Sequence, residues 1–402
     1  MTAFDARKAY EYACAVAGPR KTGSPGEAAA VGYITDRLRG FGFDVREDPF
    51  SFSTALKLFM KLTILSILVT LLLVFFLFYV NPFLTGVAVA LMLFLVLRFM
   101  SGIPFVATVR GLLFRKLPFS GRQESRNIVA TTATGSTSKR PHVYILAHYD
   151  SKSQSLPLIY RMVLIGVFYF GCIYILGHYI LAALVWGSPG GWLYAAYCLV
   201  NFSGILLLSM VEGNYSPGAI DNASGVGTLL HLAEIVSREP EFFKDVDITF
   251  VATGAEEEAL AGAFHLTKSL TDDAVDDKGN CYFINLDGVG LNGRIYCTHK
   301  IGIHLTFTRG QGDFARLVKE AGKEEGLEVK APPVVLGVMA DHFPLVYEGF
   351  NAVTLSTISK KARVVHTNKD GIDQLELEGF DTTGRLVLRV IDKIEKIGKR
   401  YG

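Results

Sequence analysis

Val143-Tyr144-Ile145-Leu146-Ala147-His148-Tyr149-Asp150 is the stretch on which the fold turns. A short apolar run, rich in β-branched and aromatic residues, reads as a buried strand, and it breaks off into a histidine and an acid. Runs of the same kind occur at Ile128–Thr131, Ile248–Ala252, Tyr282–Leu286 and Ala352–Ser356. Helical patterns lie between or after them at 222–237, 259–270, 313–325 and 375–398. Residues 3–40 also read as helix, interrupted at 18–26 by Gly-Pro-Arg and Gly-Ser-Pro-Gly. Strands alternating with helices predict an α/β fold, a mixed, mainly parallel sheet with helices on both faces. No internal repeat is present.

Composition places something else around that sheet. The 402 residues are 50% hydrophobic and only 19% charged, against about a quarter charged in ordinary soluble domains. Leu62–Leu97 and Met162–Val211 contain no Asp, Glu, Lys or Arg, and the rest of the chain holds all the charge at about the ordinary density. This excludes a disordered chain, a small disulfide scaffold and a plain soluble enzyme. A net charge of +2 with mixed signs and no basic tract gives no reason to expect nucleic acid. Five cysteines without CxxC spacing read as unpaired thiols in a reducing compartment. The opening residues show no secretory-leader pattern.

A helix needs about 20 apolar residues to cross a bilayer. Asn81-Pro82 divides the first block into Leu62–Val80 and Phe83–Leu97. Gly187-Ser188-Pro189-Gly190-Gly191 divides the second into Met162–Trp186 and Trp192–Val211. The expectation is four transmembrane helices as two inserted hairpins, and hence a multi-pass integral membrane protein in contact with lipid. A buried core helix explains one such segment more readily than four. The hairpins, 57–99 and 162–211, would interrupt one discontinuous domain made of 1–56, 100–161 and 212–402, since none of those pieces could bury a sheet alone. Lys57, Lys61, Arg98, Arg110, Arg115, Lys116, Lys152 and Arg161 flank the spans, while the hairpin turns carry no basic residue. That bias predicts a cytoplasmic domain. Ser101–Gln123, apolar but broken by Arg110, Arg115 and Lys116, suits either the headgroup plane or a core helix of the globular domain.

Acids and histidines sit where the strands end. His148 and Asp150 follow the first run, Glu256 and Glu257 the run at 248–252, and Asp287 the run at 282–286, with His366 beyond the last. Asp221 precedes the helical pattern at 222–237. In an open parallel sheet, ligands bind beyond the carboxyl ends of the strands, so these residues belong to one rim. Taken singly, Asp221 is a helix cap, the Glu256–Glu258 run a solvated turn and each histidine a satisfied polar group; together they are harder to dismiss. Two histidines and three carboxylates suit a pair of zinc ions, one carboxylate bridging. Asp150 is then placed to orient His148, and Glu256 to take a proton from the attacking water.

The ordered motifs His148-Tyr149-Asp150, Asp221-Asn222-Ala223-Ser224-Gly225, Glu256-Glu257-Glu258-Ala259-Leu260-Ala261-Gly262, Asn285-Leu286-Asp287, Asp341-His342-Phe343-Pro344 and His366-Thr367 resemble those of the M28 family of zinc-dependent peptidases. Gly18-Pro19-Arg20 through Gly26 is similar to the N-terminal stretch of the same enzymes. The resemblance covers the globular sequence and neither apolar block. It implies a zinc-peptidase-like fold and two zinc ions, one held by His148 and Asp287, the other by Glu257 and His366, with Asp221 bridging. It also implies Glu256 as general base, Asp150 behind His148, and a peptide substrate. Two departures stand out. Glu258-Ala259 replaces a glycine-bearing turn, and Gly337 stands where some members carry an oxyanion-stabilising tyrosine, which leaves the zinc ions or His342 to polarise the carbonyl.

The function expected is a membrane-anchored metallopeptidase, foremost an aminopeptidase. A metal-free receptor or scaffold would have lost ligands, and all five are present. A transporter finds only His178 as a residue that ionises near neutral pH in the spans. A carboxypeptidase, a dipeptidase or a cyclase acting on N-terminal glutamine would use the same fold, although the cyclase usually manages with one metal. Asp150 and Asp221 lie 12 and 10 residues from the second hairpin, which puts the metal rim within roughly 35–45 Å of the bilayer. Nothing in the sequence sets the oligomeric state.

Overall fold

In a computed structural model, the described residues are 3–401 apart from 79, 82, 91–93, 95–101, 115–120, 133–139, 187–190, 273–276, 301–310 and 333–338. The chain forms two compact units. Met1–Phe52, Arg122–Ser153 and Glu212–Gly402 make the first, and Ser53–Gly121 with Gln154–Val211 the second.

The first unit is built on an eight-stranded sheet. Its strands are β1 (Asp44–Ser53), β2 (Arg122–Thr131), β3 (His142–His148), β4 (Asp247–Thr253), β5 (Cys281–Leu286), β6 (Arg294–Thr298), β7 (Val329–Lys330) and β8 (Asn351–Ile358), in spatial order β1-β2-β4-β3-β5-β8-β6-β7. The centre, β4-β3-β5-β8, is parallel throughout, while β2 and β6 join it antiparallel. The sheet is therefore mixed and mainly parallel. Register aligns the carboxyl ends: His148 pairs with Thr253, and Leu286 with Leu355.

Every residue of β4 is buried, as a parallel strand covered on both faces requires. Tyr144 and Leu146 pack with Leu266, Leu270, Leu345 and Val346 from the helices Ala261–Asp272 and His342–Tyr347. The intervening Val143, Ile145 and Ala147 are equally buried, and the helix Ser224–Arg238 packs on this strand too. Ser24 caps the helix Pro25–Gly40 by accepting the Glu27 N–H, with Pro25 at the first helical position, which accounts for the break near 18–26. The helix Leu377–Tyr401 buries Phe380, Leu386, Val387, Val390, Ile391 and Ile394, a spacing of one helical face. Three strands, β1, β6 and β7, escaped the sequence reading. β1 is polar, contains Pro49 and lies at the sheet edge, so it carries no apolar run to find.

The second unit has the opposite distribution. Leu71, Ile175, Leu176, Tyr179, Leu193 and Val200 form its interior, and the Tyr197 hydroxyl donates to the Leu71 carbonyl at 2.8 Å. Leu62, Leu72, Phe76, Phe170, Trp192 and Phe202 point outward. Two helices among the described residues, Ala55–Leu77 and Leu158–Leu181, are long and apolar enough to cross a membrane, with 17% and 11% of their most apolar stretches buried. A core helix of a soluble domain would be mostly buried. Trp192–Leu208 is shorter, and residues 83–90 are helical. Apart from Phe94, the rest of the Phe83–Leu97 stretch, with Arg98, lies outside the described residues. From the stretch Ser101–Gln123, the helix Gly102–Phe114 belongs to the second unit and packs on Ala55–Phe78.

At the start of β3 the His142 ring stacks on Tyr144 at 4.1 Å and faces the Thr249 hydroxyl at 2.8 Å. Burial pushes its imidazole down to about 4. The unfolded chain takes up this proton below about pH 6.5 and the folded protein only near 4, so the stability His142 contributes is present above pH 6.5 and lost as the pH falls through that window. The loss reaches about 3 kcal/mol. Thermal midpoints in detergent are expected to fall less between pH 7 and 4 for His142→Gln than for the unsubstituted protein.

Candidate metal centre

Each of the central strands delivers a side chain to the same rim. His148 is the last residue of β3, Asp287 follows β5, Glu256 and Glu257 follow β4, and His366 follows the turn Lys360–Val364 after β8. Asp221 joins them from just before the helix Ser224–Arg238. Its Oδ1 lies 3.0 Å from His148 Nε2 and its Oδ2 3.1 Å from His366 Nε2. Asp287 Oδ1 lies 3.7 Å from the same His148 nitrogen, and Glu257 Oε1 2.9 Å from that of His366. Two groups of donors result, His148 with Glu256 and Asp287, and Asp221 with Glu257 and His366, each within 4.8 Å internally. His148, Glu256, Glu257 and His366 are buried, whereas the side chains of Asp221 and Asp287 stay 16% and 20% exposed. The cluster therefore opens on the side of those two aspartates.

Asp150 holds the acidic pair as well as the histidine. Its carboxylate accepts the backbone N–H groups of Glu256 at 3.0 Å and Glu257 at 3.1 Å. Its backbone carbonyl, not its side chain, is the closer partner of His148 Nδ1, at 3.2 Å against 3.6 Å. With Nδ1–H donated there, Nε2 presents its lone pair to the rim. The Asn222 amide ties two loops together: Nδ2 donates to the Leu286 carbonyl at 2.7 Å, and Oδ1 accepts from Gly225 and Gly288. Position 225 has no room for a side chain, since a Cβ there would meet the Leu286 carbonyl oxygen at 2.5 Å. After Glu257, Ala259 and Leu260 take φ of 65° and 62°, so the left-handed turn is made without the expected glycine. His366 also lies at φ 64°.

Several supporting residues were not singled out by the sequence. Asp370 accepts the Ile220 N–H at 2.7 Å and the Asp221 N–H at 3.4 Å, fixing the backbone that carries Asp221. Arg20 is buried and donates to five carbonyls, those of Val16, Gly18, Tyr149, Pro217 and Gly218. Burial brings its guanidinium down to about 10, against the pull of Asp150, Asp370 and Asp221. It joins the segment after His148 to the one before Asp221. Lys152 Nζ lies 2.8 Å from Glu257 Oε2. Apart from those of Arg20 to Val16 and Gly18, these contacts span roughly a hundred residues or more of sequence, and spacing gives no sign of them.

His342 is placed elsewhere. It is fully buried, with Nδ1 2.7 Å from the Thr354 hydroxyl and Nε2 3.4 Å from the Lys300 carbonyl. Its neighbour Asp341 faces Thr253 and senses the charges of His148, Asp287 and Asp150. Gly337 lies outside the described residues.

The donor set asks for cations. Burial raises Glu256 well above the usual carboxylate range, with Glu257, Asp341 and Asp287 adding to it against His148. Burial works against a charged His366, but Glu257 and Asp221 outweigh it and lift the imidazole to about 9. His148 likewise overcomes burial and rises well above its ordinary value, because Glu256, Asp150, Asp221 and Asp287 surround it. Glu257 Oε1 and Asp341 Oδ1 are buried and accept no hydrogen bond. Imidazole and carboxylate donors converging in this way fit zinc.

Residues 127–391 match the model of Peptidase family M28. The chain belongs to peptidase family M28. Over 191 residues, 46% of this chain and 40% of the relative, it is 26% identical to Aminopeptidase YwaD of Bacillus subtilis (strain 168). Over 79 residues, 20% of this chain and 21% of the relative, it is 38% identical to the alkaline phosphatase isozyme conversion protein of Escherichia coli (strain K12). The chain thus spans less than half the length of these curated relatives. Among solved structures, this member of family M28 is similar to BSAP, a zinc aminopeptidase from Bacillus subtilis, with a TM-score of 0.54, 14% identity and coverage of 97% and 95% of the two chains. It is equally similar to the Bacteroides thetaiotaomicron glutaminyl cyclase, with a TM-score of 0.55, 16% identity and coverage of 97% and 98%. At such identities the likeness is one of fold.

Arg20→Met would remove a donor from five carbonyls, of which those of Pro217 and Gly218 keep the backbone N–H groups of Gly18 and Ala223. A loss of about 3–5 kcal/mol of stability is expected, read as a lowered thermal midpoint together with reduced zinc retention on dialysis.

Proposed function

We propose that this M28 family member is a membrane-anchored dinuclear zinc aminopeptidase acting on peptides close to the membrane surface. The observation that carries the two-ion reading is Asp221, whose two carboxylate oxygens face two different histidines. His148 and Asp287 would hold one ion, Glu257 and His366 the other, with Asp221 shared between them. Zinc bound there supplies Lewis acidity toward a peptide carbonyl and toward water. Glu256, buried beside His148 and Asp287 but not required as a ligand, accepts the proton of the attacking water and passes it to the leaving amine. Asp150 keeps Glu256 and Glu257 in place through their backbone N–H groups.

Anchoring rests on the second unit. Its outward-facing Leu, Phe and Trp side chains suit lipid rather than water. Ala55–Leu77 and Leu158–Leu181 would be paired with the apolar stretch from Phe83 and with Trp192–Leu208, making hairpins 57–99 and 162–211. The basic residues flanking the spans favour a cytoplasmic location for the peptidase unit, Met1–Phe52, Arg122–Ser153 and Glu212–Gly402. Short links from Asp150 and Asp221 to the second hairpin keep the rim near the bilayer, where peptides partitioned into the membrane are concentrated.

Glu256→Gln is expected to lower turnover by about 10²–10⁴-fold with the zinc content unchanged. Unaltered turnover would remove Glu256 from the mechanism. On a panel of fluorogenic peptides, zinc-loaded protein is expected to cleave those with a free amino terminus and spare N-blocked ones. Cleavage of blocked peptides would instead favour a carboxypeptidase or endopeptidase on the same fold, and loss of ammonia from peptides beginning with glutamine a cyclase.

A further inference from the structure

Among the described residues, Glu257 is the one ligand of the cluster that forms an ion pair with a lysine. Lys152 Nζ lies 2.8 Å from its Oε2 and donates to its backbone carbonyl at 3.2 Å, with Glu212 Oε1 further off at 4.0 Å and the lysine side chain only 11% exposed. The other oxygen, Oε1, faces His366 Nε2 at 2.9 Å. Glu257 therefore has one oxygen committed to Lys152 and one free for an ion. On the other side of Asp221, the first group consists of His148, Glu256 and Asp287, with no lysine or arginine ion pair to Asp287 or Glu256 among the described residues. The two halves of the site are alike in donor type and unlike in charge.

Resting on the two-ion reading above, we infer that Lys152 is a positioning residue that makes the metal centre load in two unequal steps. It turns Glu257 so that a single oxygen faces the ion, and its fixed positive charge, a few ångströms away in a largely buried place, repels a divalent cation there. The His148/Asp287 half fills first. The Glu257/His366 half fills only at higher zinc, so the two-ion form, and the hydrolysis that depends on it, follows the ambient zinc level. Lys152 stands two residues after Asp150, and its pairing with Glu257 depends on the same turn that brings Asp150 to the backbone of the acidic pair.

The test is a titration of the full-length apoprotein in detergent with zinc in chelator buffers, repeated with cobalt and followed by its visible absorption. The unsubstituted protein is expected to take up two ions in resolved steps, the second at least tenfold weaker, and His366→Ala to lose only the weak step. Lys152→Met, which keeps the stem and removes the charge, should tighten the second step at least tenfold and leave the first unchanged. Lys152→Arg should retain the unequal steps. Lys152→Gln, which keeps a donor without charge, should behave as Lys152→Met and serves in its place if that variant does not fold. A second step that is unchanged or weaker in both neutral variants overturns the role of Lys152 while the two-ion reading stands. Uptake of no more than one ion by both the unsubstituted protein and the neutral variants overturns both.

Discussion

Asp221 stands between two buried histidines with one carboxylate oxygen on each, and the rest of the rim is arranged around the cost of that placement. Glu256, Glu257 and Asp287 lie within a few ångströms, and like charges so close disfavour one another's ionisation. The protein answers with fixed backbone. Asp150 binds the acidic pair through two N–H groups, Asp370 binds the segment ahead of Asp221, and Asn222 joins that segment to the loop of Asp287. Ligand side chains held in this way keep their geometry despite repulsion, as a site that must receive cations requires.

Arg20 does a similar job one layer out. Its fork ties together carbonyls of three segments, and a guanidinium can satisfy five acceptors in fixed directions where a lysine cannot. The parallel sheet makes this economical, because the ends of four neighbouring strands open on one edge and the supporting loops need to bridge only short gaps.

The second unit obeys a different rule. Its helices bury Leu, Ile, Val and Tyr side chains against one another and also present Leu and Phe on their outer faces. Much of this unit comes from the charge-free blocks of the sequence.

Much of the first unit was legible in one dimension. β3, β4, β5 and β8 are predominantly apolar because both of their faces are covered, and a run ending at His148 or just before Asp287 shows where the sheet ends and the chemistry begins. The helices were legible from their period, and β1 was not, since a polar edge strand owes its existence to its neighbour. Residue types and their order thus determined the sheet, the candidate ligands and the uncharged blocks, because these follow from local periodicity and from chemistry carried by single side chains. Tertiary structure alone decided that Asp221 faces two histidines, that Asp150 serves the acidic pair, that His342 turns away to Thr354, and that Lys152 and Arg20 stand behind the rim. Those are contacts between segments distant along the chain, and only the closing of the sheet brings their atoms within range.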